Sequence, residues 1–257
     1  MWRKLRIALL LLILGIAAYS NWYDRFSTTG WDKTLWIGIF PINADDGQAG
    51  NDYIAALSAA DLADIERFIN DQAHDFGVVL ARPVRVDLYP EVHEKPPPHD
   101  AAGNVFSTMW WTLKVRMYAR RNSHPPGHAP PQIRIFVMYH DPSFNQSVPH
   151  SVGLQKGLVG VVNAFADRSM TRANNVVIAH EILHTLGATD KYDLASLAPI
   201  YPIGYADPDL QPRFPQHFTE IMAGRYAVDA NTFEMPDSLS DVVVGDATAA
   251  EIRWIRR

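Results

Sequence analysis

The spacing of apolar positions along the chain changes repeatedly, and the changes outline its elements. Thr34 to Ile42 (TLWIGIFPI) is an almost unbroken apolar run of strand length, which predicts a buried strand. From Asp52 to about Phe76, Ile54, Leu57, Leu62, Ile65 and Phe68 recur at helical spacing. Val78 to Tyr89 (VVLARPVRVDLY) reads as a second strand, and Pro83 within it points to a sheet edge or a bulge, because proline has no N–H for a ladder. Glu94 to Asp100 (EKPPPHD) is a loop, and Val105 to Arg121 (VFSTMWWTLKVRMYARR) an amphipathic helix. A second proline- and histidine-rich loop, Ser123 to Pro131, precedes the strands Ile133 to Tyr139 and Leu158 to Ala166. A helix over Thr171 to Leu186 follows. The last seventy or so residues are rich in proline and turns, and close on a short helix at Ala247 to Ile255.

Strands alternating with helices predict an α/β (α+β) fold: a twisted mixed sheet with backing helices, and a smaller irregular C-terminal lobe. The domain is expected to span 27–257, with an upper lobe over about 34–187 and a lower lobe over about 188–257. Residues 1–26 stand apart. Arg3, Lys4 and Arg6 precede the uncharged run Ile7 to Ala18, as in a signal peptide or a signal anchor. Trp22 and Tyr23 extend the run with residues suited to a membrane interface, which favours the anchor, and Ala18-Tyr19-Ser20 suits a signal peptidase. Either reading places the rest of the chain outside the cytoplasm, periplasmic or extracellular.

Composition narrows the chemistry. The 257 residues are 47% hydrophobic, enough for a sizeable core, and the net charge of −5 gives no reason to expect nucleic acid as a partner. With no cysteine, disulfides and thiolate metal sites are excluded, so any metal must be held by His, Asp or Glu.

Val176 to Asp193 reads VVIAHEILHTLGATDKYD and contains H-E-x-x-H at His180, Glu181 and His184. In a helix, residues four apart lie on one face, so both imidazoles can meet one metal ion. Glu181 stands one position round, where its carboxylate can take a proton from an activated water. Gly187 can adopt the left-handed conformation that ends a helix, and the turn would bring Asp190 back as a third ligand. Three protein ligands with an open fourth position is the arrangement of a catalytic zinc. The expected cofactor is Zn2+, the expected reaction hydrolysis of a peptide or protein substrate.

The pattern H-E-x-x-H-x-x-G-x-x-D resembles the metzincin metalloprotease motif in its Asp-ligand variant. The continuation Asp190-Lys191-Tyr192-Asp193 is similar to snapalysin and, more closely, to immune inhibitor A-type peptidases. The resemblance implies a methionine turn beneath the metal, for which Glu220-Ile221-Met222-Ala223-Gly224 is the candidate, with Met222 as the apolar floor. The absence of a histidine at 190 is a departure and leaves room for other third ligands. Glu220 is the main rival, as in gluzincins, and His217 a weaker one. Asp193 suits a structural role in the loop, and Tyr226 is read first as a packing tyrosine, with stabilisation of an oxyanion as the alternative.

Most of His74, His93, His99, His124, His128, His140 and His150 lie near prolines or in apparent loops, where solvent exposure is expected. Either Pro/His loop could hold a second, weak metal site. Trp110 and Trp111 are expected in the helix core. Element order makes Leu158 to Phe165 the expected sheet edge, where a peptide could add as an extra strand. The contrasting function is a membrane-tethered binding or assembly module that keeps zinc for structure; intact Glu181 argues for the enzyme.

Overall fold

The computed structural model describes residues 29–98, 105–155 and 157–255, with single positions at 2, 6, 7 and 15. The apolar run of segment 1–26 otherwise lies outside the described residues, as do His99 and Asp100. Among the described residues no helix is long and apolar enough to cross a membrane.

The core is a five-stranded sheet in the order β2-β1-β3-β5-β4, formed by β1 (Leu35–Asn43), β2 (Val84–Leu88), β3 (Ile133–His140), β4 (Val152–Leu154) and β5 (Val159–Phe165). All neighbours run parallel except β4, which pairs antiparallel with β5. β1 and β3 lie inside the sheet, buried on both faces, which explains their continuous apolar runs. Helices α1 (Gln48–Ala55), α2 (Ala63–Asp75) and α4 (Thr171–Leu186) pack on one face, around Ile37, Ile39, Ile135 and Val137. On the other face α3 (Val105–Asn122) sets Trp111, Val115 and Tyr118 against Phe40, Ile42 and Phe136. The result is a mixed α/β sandwich with a mostly parallel central sheet.

Several expectations need correction. The helix read over 52–76 is two helices joined by a 3-10 turn at Ala59–Leu62. The break falls at Ser58, whose N–H and hydroxyl both donate to the Asp61 carboxylate at 2.8 Å, a local start signal stronger than the apolar periodicity. The strand read over 78–89 shrinks to Val84–Leu88, and Val79 is fully exposed (97%). β2 does lie at a sheet edge, with Pro83 just before it. β5 is not an edge: it is flanked by β3 and β4, and the three-residue β4 forms that border. Trp111 is buried but Trp110 is 58% exposed. His140 is buried too, its Nε2 2.9 Å from Asn163 Oδ1 on the neighbouring strand.

Carboxylates tie the layers together. Glu66 on α2 accepts from Arg82 Nε and Nη2 at 2.8 and 2.9 Å and from the Val86 N–H of β2 at 2.9 Å. Burial alone would raise its pKa; the Arg82 and Val86 hydrogen bonds outweigh that and lower it. Asp61 is lowered in the same way, with Ser58 and Arg168 prevailing over burial. A carboxyl depressed in the folded state adds stability that is complete above its unfolded pKa and is lost as pH falls through the folded value. Urea unfolding is therefore expected to show stability falling below pH 4.5, the ordinary Glu value. Glu66→Gln should reduce that acid-induced loss by about 1 kcal/mol or less, since Arg82 is half exposed. An unchanged loss would remove Glu66 from the acid response.

The C-terminal part, from Ala188 on, has little regular structure. It contains two short ladders, β6 (Thr219–Glu220) with β9 (Val242–Val243) and β7 (Tyr226–Ala227) with β8 (Phe233–Glu234), and ends in α5 (Asp246–Glu251). Trp254, just after α5, packs on Trp31 and Phe76 and joins this part to the main core.

Candidate metal centre

α4 forms where the sequence predicts it. Its residues Val176, Ile178, Ala179, Ile182, Leu183 and Leu186 fill the core, so the helix cannot rotate without exposing them. Asn174 accepts from the Phe165 N–H at 3.1 Å and donates to the Phe165 carbonyl at 2.9 Å, fixing the helix to the end of β5. Gly187 ends it with φ 104°, in the left-handed region, and Ala188 N donates to Leu183 O at 3.0 Å, closing a Schellman-type turn. A Cβ at 187 would also meet Gln155 Nε2 at 2.4 Å.

This turn brings Asp190 back over the helix. Its Oδ1 lies 3.2 Å from His180 Nε2 and 3.1 Å from His184 Nε2, with the two rings 4.6 Å apart, centroid to centroid. The other ring nitrogens are already engaged: His180 Nδ1 lies 2.8 Å from the Ile221 carbonyl, His184 Nδ1 2.8 Å from the Ala188 carbonyl. A carbonyl only accepts, so each Nδ1 carries a proton, and in the neutral ring the lone pair sits on Nε2. Two lone pairs and a carboxylate oxygen thus converge, and Asp190 Oδ1 is buried without a hydrogen-bond partner. A shared proton satisfies one such contact; a metal ion satisfies all three. Tetrahedral zinc with bonds of about 2.0–2.2 Å sets its ligand atoms about 3.3 Å apart, close to the spacing found here.

Burial alone would raise the Asp190 pKa, but the two imidazoles outweigh it and hold the carboxyl well below the usual range. Burial works against a charged His180, yet Asp190, Glu181 and the Ile221 carbonyl leave its pKa raised. The site favours positive charge among these groups.

Glu181 is 5% exposed, and its Oε2 has no hydrogen-bond partner. Burial pushes its carboxyl pKa up, with both histidines pulling the other way. His180, Glu181 and His184 offer ligand atoms within 4.8 Å of one another, and among the described residues no second such cluster occurs, in the Pro/His loops or elsewhere. β4 lies directly against this end of α4. A Cβ at Gly153 would stand 2.5 Å from the Glu181 carbonyl oxygen and from His184 Cβ, so only glycine lets the border strand pass so close.

The rival ligands are engaged elsewhere. Glu220 is fully buried: Oε2 accepts from Ala223 N at 2.9 Å, and Oε1 accepts from Thr248 Oγ1 at 2.6 Å and Gly245 N at 3.2 Å. It caps the turn carrying Met222 and ties it to α5. His217 is exposed. Tyr226 donates its hydroxyl to Glu234 at 2.9 Å. Met222 is fully buried in the 3-10 turn Ile221–Ala223, whose first carbonyl orients His180. Asp193 accepts from Ser196 N and Oγ at 2.8 Å and so shapes the loop after Asp190.

Two residues of the loop have roles that the motif did not suggest. Lys191 is 1% exposed; its ammonium donates to Thr189 O and Oγ1 at 2.7 and 2.9 Å and to Glu251 Oε2 at 2.7 Å. Glu251, on α5, also accepts from Thr189 N and Oγ1 at 2.8 Å. Residues on both sides of Asp190 are thereby pinned to a helix about sixty positions away. Tyr192 is partly buried, and its pKa is raised by burial and then by Asp190 and Glu181, which places its hydroxyl in the field of both carboxylates. In the sequence both stand out only within the continuation Asp190-Lys191-Tyr192-Asp193, which assigns neither a partner.

No known protein-family model matches the chain, and no curated protein matches it either.

Proposed function

We propose that this protein is a zinc-dependent metallopeptidase of metzincin type, exported and held at a membrane by its N-terminal segment. The observation that carries the reading is the convergence of His180 Nε2, His184 Nε2 and Asp190 Oδ1 beside the buried, unpartnered Oε2 of Glu181. A structural site has no use for such a base. His180, His184 and Asp190 would hold the ion, and the engagement of Glu220 in capping favours Asp190 over a gluzincin-type ligand set. Bound zinc supplies Lewis acidity, which polarises a scissile carbonyl and acidifies a water. Glu181 accepts the proton of the attacking water and returns it to the leaving amine; burial, by raising its pKa, brings it nearer to neutral pH, where a general base works best. The Ile221 and Ala188 carbonyls hold the imidazoles in the tautomer that leaves Nε2 free to ligate. The outer edge of β4, beside Glu181, is where an extended peptide would pair as a sixth strand.

The test is zinc content and proteolysis by the full chain in detergent. One zinc per chain is expected, with digestion of an unfolded protein that stops on chelation and returns with zinc. Purification without bindable zinc would refute the site. Stoichiometric zinc with no turnover on unfolded protein or a peptide library would refute the peptidase and leave a binding module.

A further inference from the structure

α3 is apolar on both sides. Its inner side is packed on the sheet, while Phe106, Met109, Trp110, Leu113 and Met117 recur at helical spacing on the outside, 45–77% exposed. The same helix carries Lys114, Arg116, Arg120 and Arg121 and no acidic residue, in a chain whose net charge is −5. The Lys114 ammonium sits 5.9 Å from the Trp110 ring centroid, so charge and aromatic surface are adjacent. Trp, Phe and Met beside Lys and Arg on an exposed helix is the composition of a surface that lies in the headgroup layer of a bilayer.

We propose that the outer face of α3 rests on an anionic lipid surface, as a second contact beside the N-terminal segment. Two further features select lipid as the occupant. The excess of basic residues complements anionic headgroups. If Ile7 to Ala18 is embedded, as its sequence leads us to expect, Tyr19 to Thr28 can span at most about 35 Å, so the domain stays next to the bilayer. α3 lies on the sheet face opposite α4, so the contact leaves the histidine side open to a substrate. It would orient the domain and bias it toward substrates near the membrane.

The absence of cysteine gives a clean test. Full-length Met109→Cys and, as a control, Val79→Cys (a fully exposed position in the loop after α2) are labelled with a fluorophore. Each is reconstituted into vesicles of phosphatidylglycerol and phosphatidylcholine, with circular dichroism confirming the fold. The label at 109 is expected to lose quenching by an aqueous quencher and to gain quenching by a lipid-borne nitroxide, while the label at 79 responds only to the aqueous quencher. Chain that floats with vesicles but is quenched from water at 109 would keep the anchor and overturn the α3 contact. Protection at 109 from both quenchers would also overturn it, in favour of a protein cover such as a second copy. Chain that does not float at all would overturn both contacts, whatever the outcome of the zinc assay.

Discussion

Glu181→Gln is expected to lower peptide hydrolysis by about 10²–10⁴-fold, the usual contribution of a general base, while leaving zinc content and fold unchanged. The substitution keeps the shape of the side chain and removes only its ability to take a proton. Because the carboxyl is buried and its Oε2 lacks a partner, losing it removes an ionisable group from a desolvated position, so stability should be equal or slightly higher. This separates the base from the ligands: His180→Ala or Asp190→Ala should release metal, whereas Glu181→Gln should not. Steady-state rates with metal analysis on the same preparations decide the matter. A Glu181→Gln protein retaining a tenth or more of the activity would exclude Glu181 as the base.

Glu251→Ala is expected to cost about 3–5 kcal/mol of stability, because it leaves the Lys191 ammonium buried without its carboxylate. For a domain of this size that is a fall in melting temperature of about 10 °C. Zinc affinity should fall too, since the Thr189 and Lys191 contacts that flank Asp190 both end on Glu251. Glu251→Gln, which keeps an acceptor for Lys191, should lose less of both. Thermal unfolding and zinc titration of the two variants check this. Normal zinc affinity in a destabilised Glu251→Ala protein would show that Asp190 is held by its own turn alone.

Much of the α/β layout was legible because buried strands and helices carry their burial in their spacing. β3, β5, α3 and α4 fall within a residue or two of the positions read from the apolar and turn pattern, although α3, read as amphipathic, is apolar on both sides. Periodicity failed where a local polar signal interrupts a helix, as at Ser58, and where an element is too short to show a period, as at β4. It also could not tell Trp110 from Trp111, since a helix apolar on both sides has no single inward direction.

The same division runs through the site. The sequence determined the candidate residues: four-residue spacing puts His180 and His184 on one helical face, adjacency puts Glu181 beside them, and a glycine three positions on allows the sharp return, because these follow from backbone geometry alone. Only the tertiary structure shows which acid lies against the two histidines. Asp190 and Glu220 are both acids downstream of α4, and what separates them is hydrogen bonding: Glu220 is taken up by Ala223, Gly245 and Thr248, whereas Asp190 Oδ1 is left beside the two histidine Nε2 atoms. Only the tertiary structure brought in the Ile221 carbonyl that sets the His180 tautomer, the border strand that passes at Gly153, and Glu251, which steadies the loop. These partners lie about thirty to sixty residues from the groups they position, and no local spacing encodes such a distance; burial and hydrogen-bond satisfaction across the folded core do.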